Sequence, residues 1–112
     1  MPAQRKTKLE RDFEEDLIAE LKDMFPGIEI VKRNGDPQGI PDLLLLWRGY
    51  YAYLEDKRAS DSKKQANQEW YIDHFNEEGA YASFVYPENK DEVLREIQQS
   101  FGAGRPTRAT QR

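Results

Sequence analysis

The five residues Leu43-Leu44-Leu45-Leu46-Trp47 are the longest uninterrupted apolar run in the chain, and they set the centre of any fold it adopts. Such a run is the length of one strand, far short of the roughly 18 residues that cross a bilayer. Pro41 cannot donate to a β-ladder, so it marks the start of this strand, with Asp42 as its first residue. Arg48-Gly49 follows as a tight turn, and residues 50–58 read as the antiparallel partner. The unbroken apolar character predicts a strand over 42–47 buried on both faces, in the middle of a sheet.

The other elements arrange themselves around this hairpin. Phe13, Leu17, Leu21 and Met24 recur at helical spacing, with Ile18 and Phe25 widening the stripe, so residues 9–25 form a helix stopped by Pro26-Gly27. Residues 28–32 are a short strand, and Asn34-Gly35-Asp36-Pro37-Gln38-Gly39 is a loop of turn formers. A second helix over 62–78 ends at Gly79, a fourth strand covers 81–86, and a last helix over 91–101 carries Val93, Leu94, Ile97 and Phe101 on one side. Three strands in meander, then a helix long enough for a right-handed crossover, place strand four parallel to strand three. The expected class is α/β: a mixed four-stranded sheet flanked by helices, with a C-terminal helix added.

At 112 residues the chain suits one domain, over 9–101, between arms at 1–8 and 102–112. Its 34% charged residues and mean hydropathy of −0.95 point to a soluble protein. Residues 1–8 lack the apolar centre of a secretory signal. With no cysteine, disulfides, zinc–thiolate sites and cysteine nucleophiles are excluded, which suits a reducing cytoplasm. The single histidine argues against a His-rich metal cluster. Net charge is −4, yet Arg5, Lys6, Lys8, Arg105, Arg108 and Arg112 lie in arms with no acid. Taking those six from 17 basic residues leaves 11 against 21 acidic ones, an acidic body of −10. Basic arms of this kind either supply phosphate contacts or merely aid solubility. Inside the body Lys57, Arg58, Lys63 and Lys64 form one basic cluster, a candidate contact for DNA.

The chemistry concentrates at Gly39-Ile40-Pro41-Asp42 and, thirteen residues after Asp42, at Glu55-Asp56-Lys57. Neighbouring strands bring Asp42 and Glu55 together, and alternation puts Glu55 and Lys57 on one face with Asp56 on the other. Magnesium takes oxygen ligands, commonly one or two protein carboxylates with phosphate oxygens and waters completing the shell. Asp42 and Glu55 supply such a pair, and Lys57 can position an attacking water and offset charge developing at phosphorus. A surface Glu55–Lys57 ion pair beside a turn-capping Asp42 is the plain alternative. Glu14 falls within the apolar arc of the first helix, where a carboxylate is costly unless paired or metal-bound, although a helix-edge Glu can also reach water. Gln68 lies in the inward arc of the second helix with Tyr71, Ile72 and Phe75, suited to the site or to a backbone contact. His74 projects outside that arc, toward solvent.

Taken together, Glu14, the GIPD of 39–42, the EDK of 55–57, and Gln68-Glu69-Trp70 with Gly79 resemble the PD-(D/E)xK nuclease superfamily, and within it the VRR-NUC (virus-type replication-repair nuclease) family. The resemblance runs from residue 13 to residue 86, and the order and spacing of these short motifs agree throughout. It implies a restriction-endonuclease-like αβββαβ core, a magnesium ion for which manganese substitutes, and hydrolysis of DNA phosphodiester bonds. Asp42 and Glu55 would be the metal-binding carboxylates, Lys57 the catalytic lysine, and Glu14 the first-helix acid completing the metal site. Gln68 would be the helix glutamine near the active site, and the Asp56 backbone carbonyl a further ligand. Asp56 itself stands where the family usually has an apolar residue. Free-standing VRR-NUC domains of this size are typical of bacteriophages, which implies the host-cell cytoplasm. They resemble Holliday-junction resolvases in acting as homodimers on branched DNA; Trp47, Tyr50, Tyr51, Tyr53 and Trp70 are the aromatic candidates for such an interface, and core packing explains some of them equally well. The competing expectation is a non-catalytic nucleic-acid-binding module with a nuclease-like fold. RNA-directed or restriction-type cutting is a third, and 112 residues leave no room for a separate sequence-reading domain.

Overall fold

The computed structural model describes residues 8–33, 41–57, 59, 61 and 66–102. In chain order they form α1 (Lys8–Met24), β1 (Glu29–Lys32), β2 (Leu43–Trp47), β3 (Tyr50–Asp56), α2 (Ala66–Glu77), β4 (Tyr81–Val85), a 3-10 turn (Pro87–Asn89) and α3 (Lys90–Ser100). The sheet order is β1-β2-β3-β4, antiparallel across the first two pairs and parallel between β3 and β4. The chain is therefore α/β, a four-stranded mixed sheet with three helices. No helix among the described residues is long and apolar enough to cross a membrane.

Two residues, Arg48 and Gly49, close the β2–β3 hairpin at φ 51° and 85°. Two-residue hairpins favour this left-handed pair because its twist matches that of the strands. The Arg48 guanidinium lies 4.4 Å from the centre of the Trp47 ring, a contact that offsets the strain of a non-glycine residue there.

One face of the sheet carries the core. Leu17 and Leu21 of α1, Phe25 just past its end, and Val93, Leu94, Ile97 and Phe101 of the α3 segment pack on Leu43, Leu45, Ala52, Leu54 and Val85. At the hairpin end, Phe25 meets Trp47 and Phe101 edge-on at 5.2 and 5.4 Å. Trp47 Nε1 donates to the Pro26 carbonyl at 2.9 Å. Trp47 and Tyr50 thus belong to the core cluster, not to the exposed aromatics suited to an interface.

α2 covers the opposite face, where Phe75 stacks on Tyr53 at 4.0 Å. The Asn76 amide fastens it to β4, exchanging two hydrogen bonds of 2.9 Å with the backbone of Ala82. This seat lies mainly over β3 and β4. The expectation that residues 42–47 are buried on both faces is corrected accordingly: Leu46 is 40% exposed, beside Val31 at 41% and Tyr51 at 44%. His74 is half-buried rather than solvated, because Trp70, one turn earlier, stacks on it at 4.7 Å.

α3 is tied down by two polar contacts that are sensitive to alkali. Tyr81 Oη donates to Glu96 Oε1 at 2.6 Å, and burial, then that bond, push its phenol above the usual 10. Lys90 donates to Glu20, and this bond holds its ammonium above the usual 10.5. Both groups bind their proton more tightly in the folded chain, so their stabilisation is complete below about pH 10 and is lost as pH rises through the folded-state values. The urea midpoint is expected to fall between about pH 8 and about pH 11, and to fall less in Tyr81→Phe. Equal losses in wild type and variant would remove Tyr81 from this role.

Candidate functional site

The register of β2 and β3 builds the site. Leu43 faces Leu54, so one step beyond the paired residues Asp42 faces Glu55. The Asp42 carbonyl accepts from the Arg33 N–H at 2.7 Å, which turns its backbone groups toward β1. Asp42 and Glu55 are then a non-hydrogen-bonded antiparallel pair, the kind with the closest side chains, about 4.5–5.5 Å apart at Cβ. Both lie on the α2 face, because Leu43 and Leu54 occupy the core face.

Pro41, which is buried, ends this ladder, since it has no N–H to give across to Asp56. The Asp56 N–H donates instead to Asp42 Oδ2 at 3.1 Å. Backbone N–H and C=O of one strand residue point the same way, so the Asp56 carbonyl is turned toward Asp42 as well. The Lys57 N–H donates to the Val85 carbonyl at 2.8 Å, extending β3 by one residue. Lys57 therefore follows Glu55 on the α2 face.

Gln68, in the first turns of α2, joins the two. Lys57 Nζ donates to Gln68 Oε1 at 2.9 Å, and Gln68 Nε2 donates to Glu55 Oε2 at 3.2 Å. An amide presents one acceptor and one donor group, so it can hold a cation and an anion at once in a fixed relation. The Phe84 ring, 5.9 Å from Lys57 Nζ, flanks the ammonium.

Glu14 approaches the sheet from α1. It is 3% exposed on α1, with Oε1 3.4 Å from Lys32 Nζ. Lys32 faces Leu43, so this pair lies on the core face of the sheet. The described contacts join Glu55, Lys57 and Gln68, tie Asp42 to the backbone of Asp56 and Arg33, and connect Glu14 to Lys32. The buried charged side chains among the described residues are Glu14, Glu55 and Asp56. Burying a carboxylate is expensive without compensation, so two of them, Glu55 and Asp56, side by side at the end of β3 are a local departure from core-building. Arg58, Lys63 and Lys64, Gly39-Ile40 and nearly all of both basic arms lie outside the described residues.

Among the described residues no group of three or more carboxylate or imidazole ligands is gathered tightly enough to hold a metal ion. Magnesium needs fewer, one or two protein carboxylates with water and substrate oxygens. The Asp42–Glu55 pair meets that requirement by chemistry, since a carboxylate offers about four lone-pair sites and one bond does not exhaust it. Lys32 and Arg33 are residues that sequence reasoning passed over, although two consecutive cations at a strand end necessarily face opposite ways. No family model, no curated protein and no solved structure matches the chain.

Proposed function

We propose that this chain is a magnesium-dependent DNA endonuclease of the PD-(D/E)xK kind, similar to VRR-NUC nucleases, hydrolysing phosphodiester bonds in branched DNA. The reading rests on one observation: Gln68 ties Lys57 to Glu55 while Asp42 stands directly across the ladder from Glu55. A structural ion pair would not need a buried carboxylate, a lysine and an amide converging at the point where a proline ends the strand pairing.

Asp42 and Glu55, with the Asp56 carbonyl, are the residues that would hold magnesium or manganese. Such an ion, when bound, supplies Lewis-acid activation of water and of a phosphoryl oxygen. Lys57 places its ammonium where negative charge grows on the phosphoryl oxygens, and a positioned cation there needs no reorganisation as the reaction proceeds. Gln68 fixes the direction of that ammonium. Asp42 is itself oriented by the Asp56 N–H. The exposed Val31, Leu46, Tyr51 and Trp70 supply apolar surface for the second copy of a homodimer, in which two sites would cut opposite strands of a junction.

The test is to incubate the protein with labelled four-way junction, flap, single-stranded and linear duplex DNA in magnesium, manganese or chelator. Metal-dependent cutting, strongest on branched DNA, is the expected result. Binding with no cutting of any substrate would leave a nucleic-acid-binding module in its place.

A further inference from the structure

The end of β1 delivers one cation to each face of the sheet. Lys32 goes to Glu14 on the core face, so alternation sends Arg33 to the α2 face. The Arg33 N–H bond to the Asp42 carbonyl carries the β1–β2 register one residue past Lys32 and Leu43. Arg33, Asp42 and Glu55 consequently stand in one row across three strands, with Phe84 continuing it on β4. Glu29, Val31 and Lys32 on the same edge strand are exposed, whereas Arg33 is half-buried and its Nε is shut off from solvent. An arginine extended into water keeps Nε wet, so this side chain lies against the protein.

We propose that Arg33 binds a phosphate group of the nucleic-acid backbone, from the β1 side of the acid pair, while Lys57 approaches from β3. The proposal rests on the phosphodiesterase reading above. Two carboxylates side by side repel an anionic backbone wherever a bound metal ion does not fully neutralise them, and one lysine offsets only part of what remains. Arg33, next to Asp42 in the row, adds a cation on the β1 side, and the planar fork of a guanidinium matches two phosphate oxygens where an ammonium acts as a point charge.

The experiment measures DNA binding by fluorescence anisotropy across a salt series, with calcium replacing magnesium, and cleavage in magnesium. Wild type, Arg33→Ala, Arg33→Lys and Arg48→Ala are compared, the last removing the same charge at the hairpin end. Arg33→Ala is expected to bind about tenfold more weakly, with a log–log salt slope shallower by about 0.9, the loss of one phosphate contact. Arg33→Lys keeps the slope but cuts more slowly than wild type, and Arg48→Ala matches wild type in both. An Arg33→Ala slope equal to wild type overturns the proposal. Should Arg33→Ala fail to fold, an Arg33→Lys that cuts at the wild-type rate overturns it instead. A wild type that cuts, with Arg33 variants that bind and cut like it, sinks this subsite alone. A wild type that neither binds nor cuts sinks the nuclease reading with it.

Discussion

Replacing Lys57 by alanine is expected to slow metal-dependent DNA cleavage by about 10²–10³ while leaving DNA affinity within about tenfold. The asymmetry follows from where the ammonium sits. Lys57 is held by Gln68 beside Glu55, so its charge is positioned for the reacting phosphate and is only one among many backbone contacts. An interaction that matters chiefly in the transition state shows in the rate, not in binding. Gln68→Ala leaves the ammonium in place but frees its direction, and about a tenfold slower rate is expected from this positioning residue. Single-turnover cleavage with parallel anisotropy measures both quantities. A Lys57→Ala protein that cuts within threefold of wild type would remove the lysine from the chemistry.

The largest loss of stability is expected at Phe25→Ala, about 3–5 kcal/mol. Phe25 is fully buried between Trp47 and Phe101, where its ring contributes edge contacts as well as apolar area. Against the 5–15 kcal/mol that holds a typical domain, such a loss leaves the folded state marginal. The residue packs at the hairpin end of β2, about 17 Å of strand from Asp42. Cleavage by the fraction that remains folded should therefore proceed at the wild-type rate, separating packing from chemistry. Urea unfolding monitored by tryptophan fluorescence gives the stability difference, and a change below about 1 kcal/mol would contradict this view of the core.

Much of this architecture is legible in the sequence because local signals agree. Pro26-Gly27, Arg48-Gly49 and Gly79 punctuate the chain where elements end, and the apolar stripes of α1 and α3 point to a common core. The hairpin turn is short enough to fix the pairing of Asp42 with Glu55. The partners of Lys32 and Arg33 are not legible, because the β1–β2 register depends on the chain between them, and a slip of one residue would exchange the faces of both cations. Leu46 misleads for a different reason. An all-apolar run reads as buried on both sides, yet its exposure depends on where α2 comes to rest, which the Asn76 clasp on Ala82 decides. His74 likewise needs Trp70 beside it before its half-burial makes sense.

The magnesium dependence of single-turnover cleavage, compared between wild type, Asp42→Ala and Glu55→Gln, tests the central claim most directly. Wild type should cut in proportion to bound magnesium, saturate, and stop when chelator is added. The two variants should lose cutting or need far more magnesium to approach it, with unfolding midpoints near wild type. A rate indifferent to chelator, or magnesium curves that superimpose for all three proteins, would contradict a metal site built on Asp42 and Glu55.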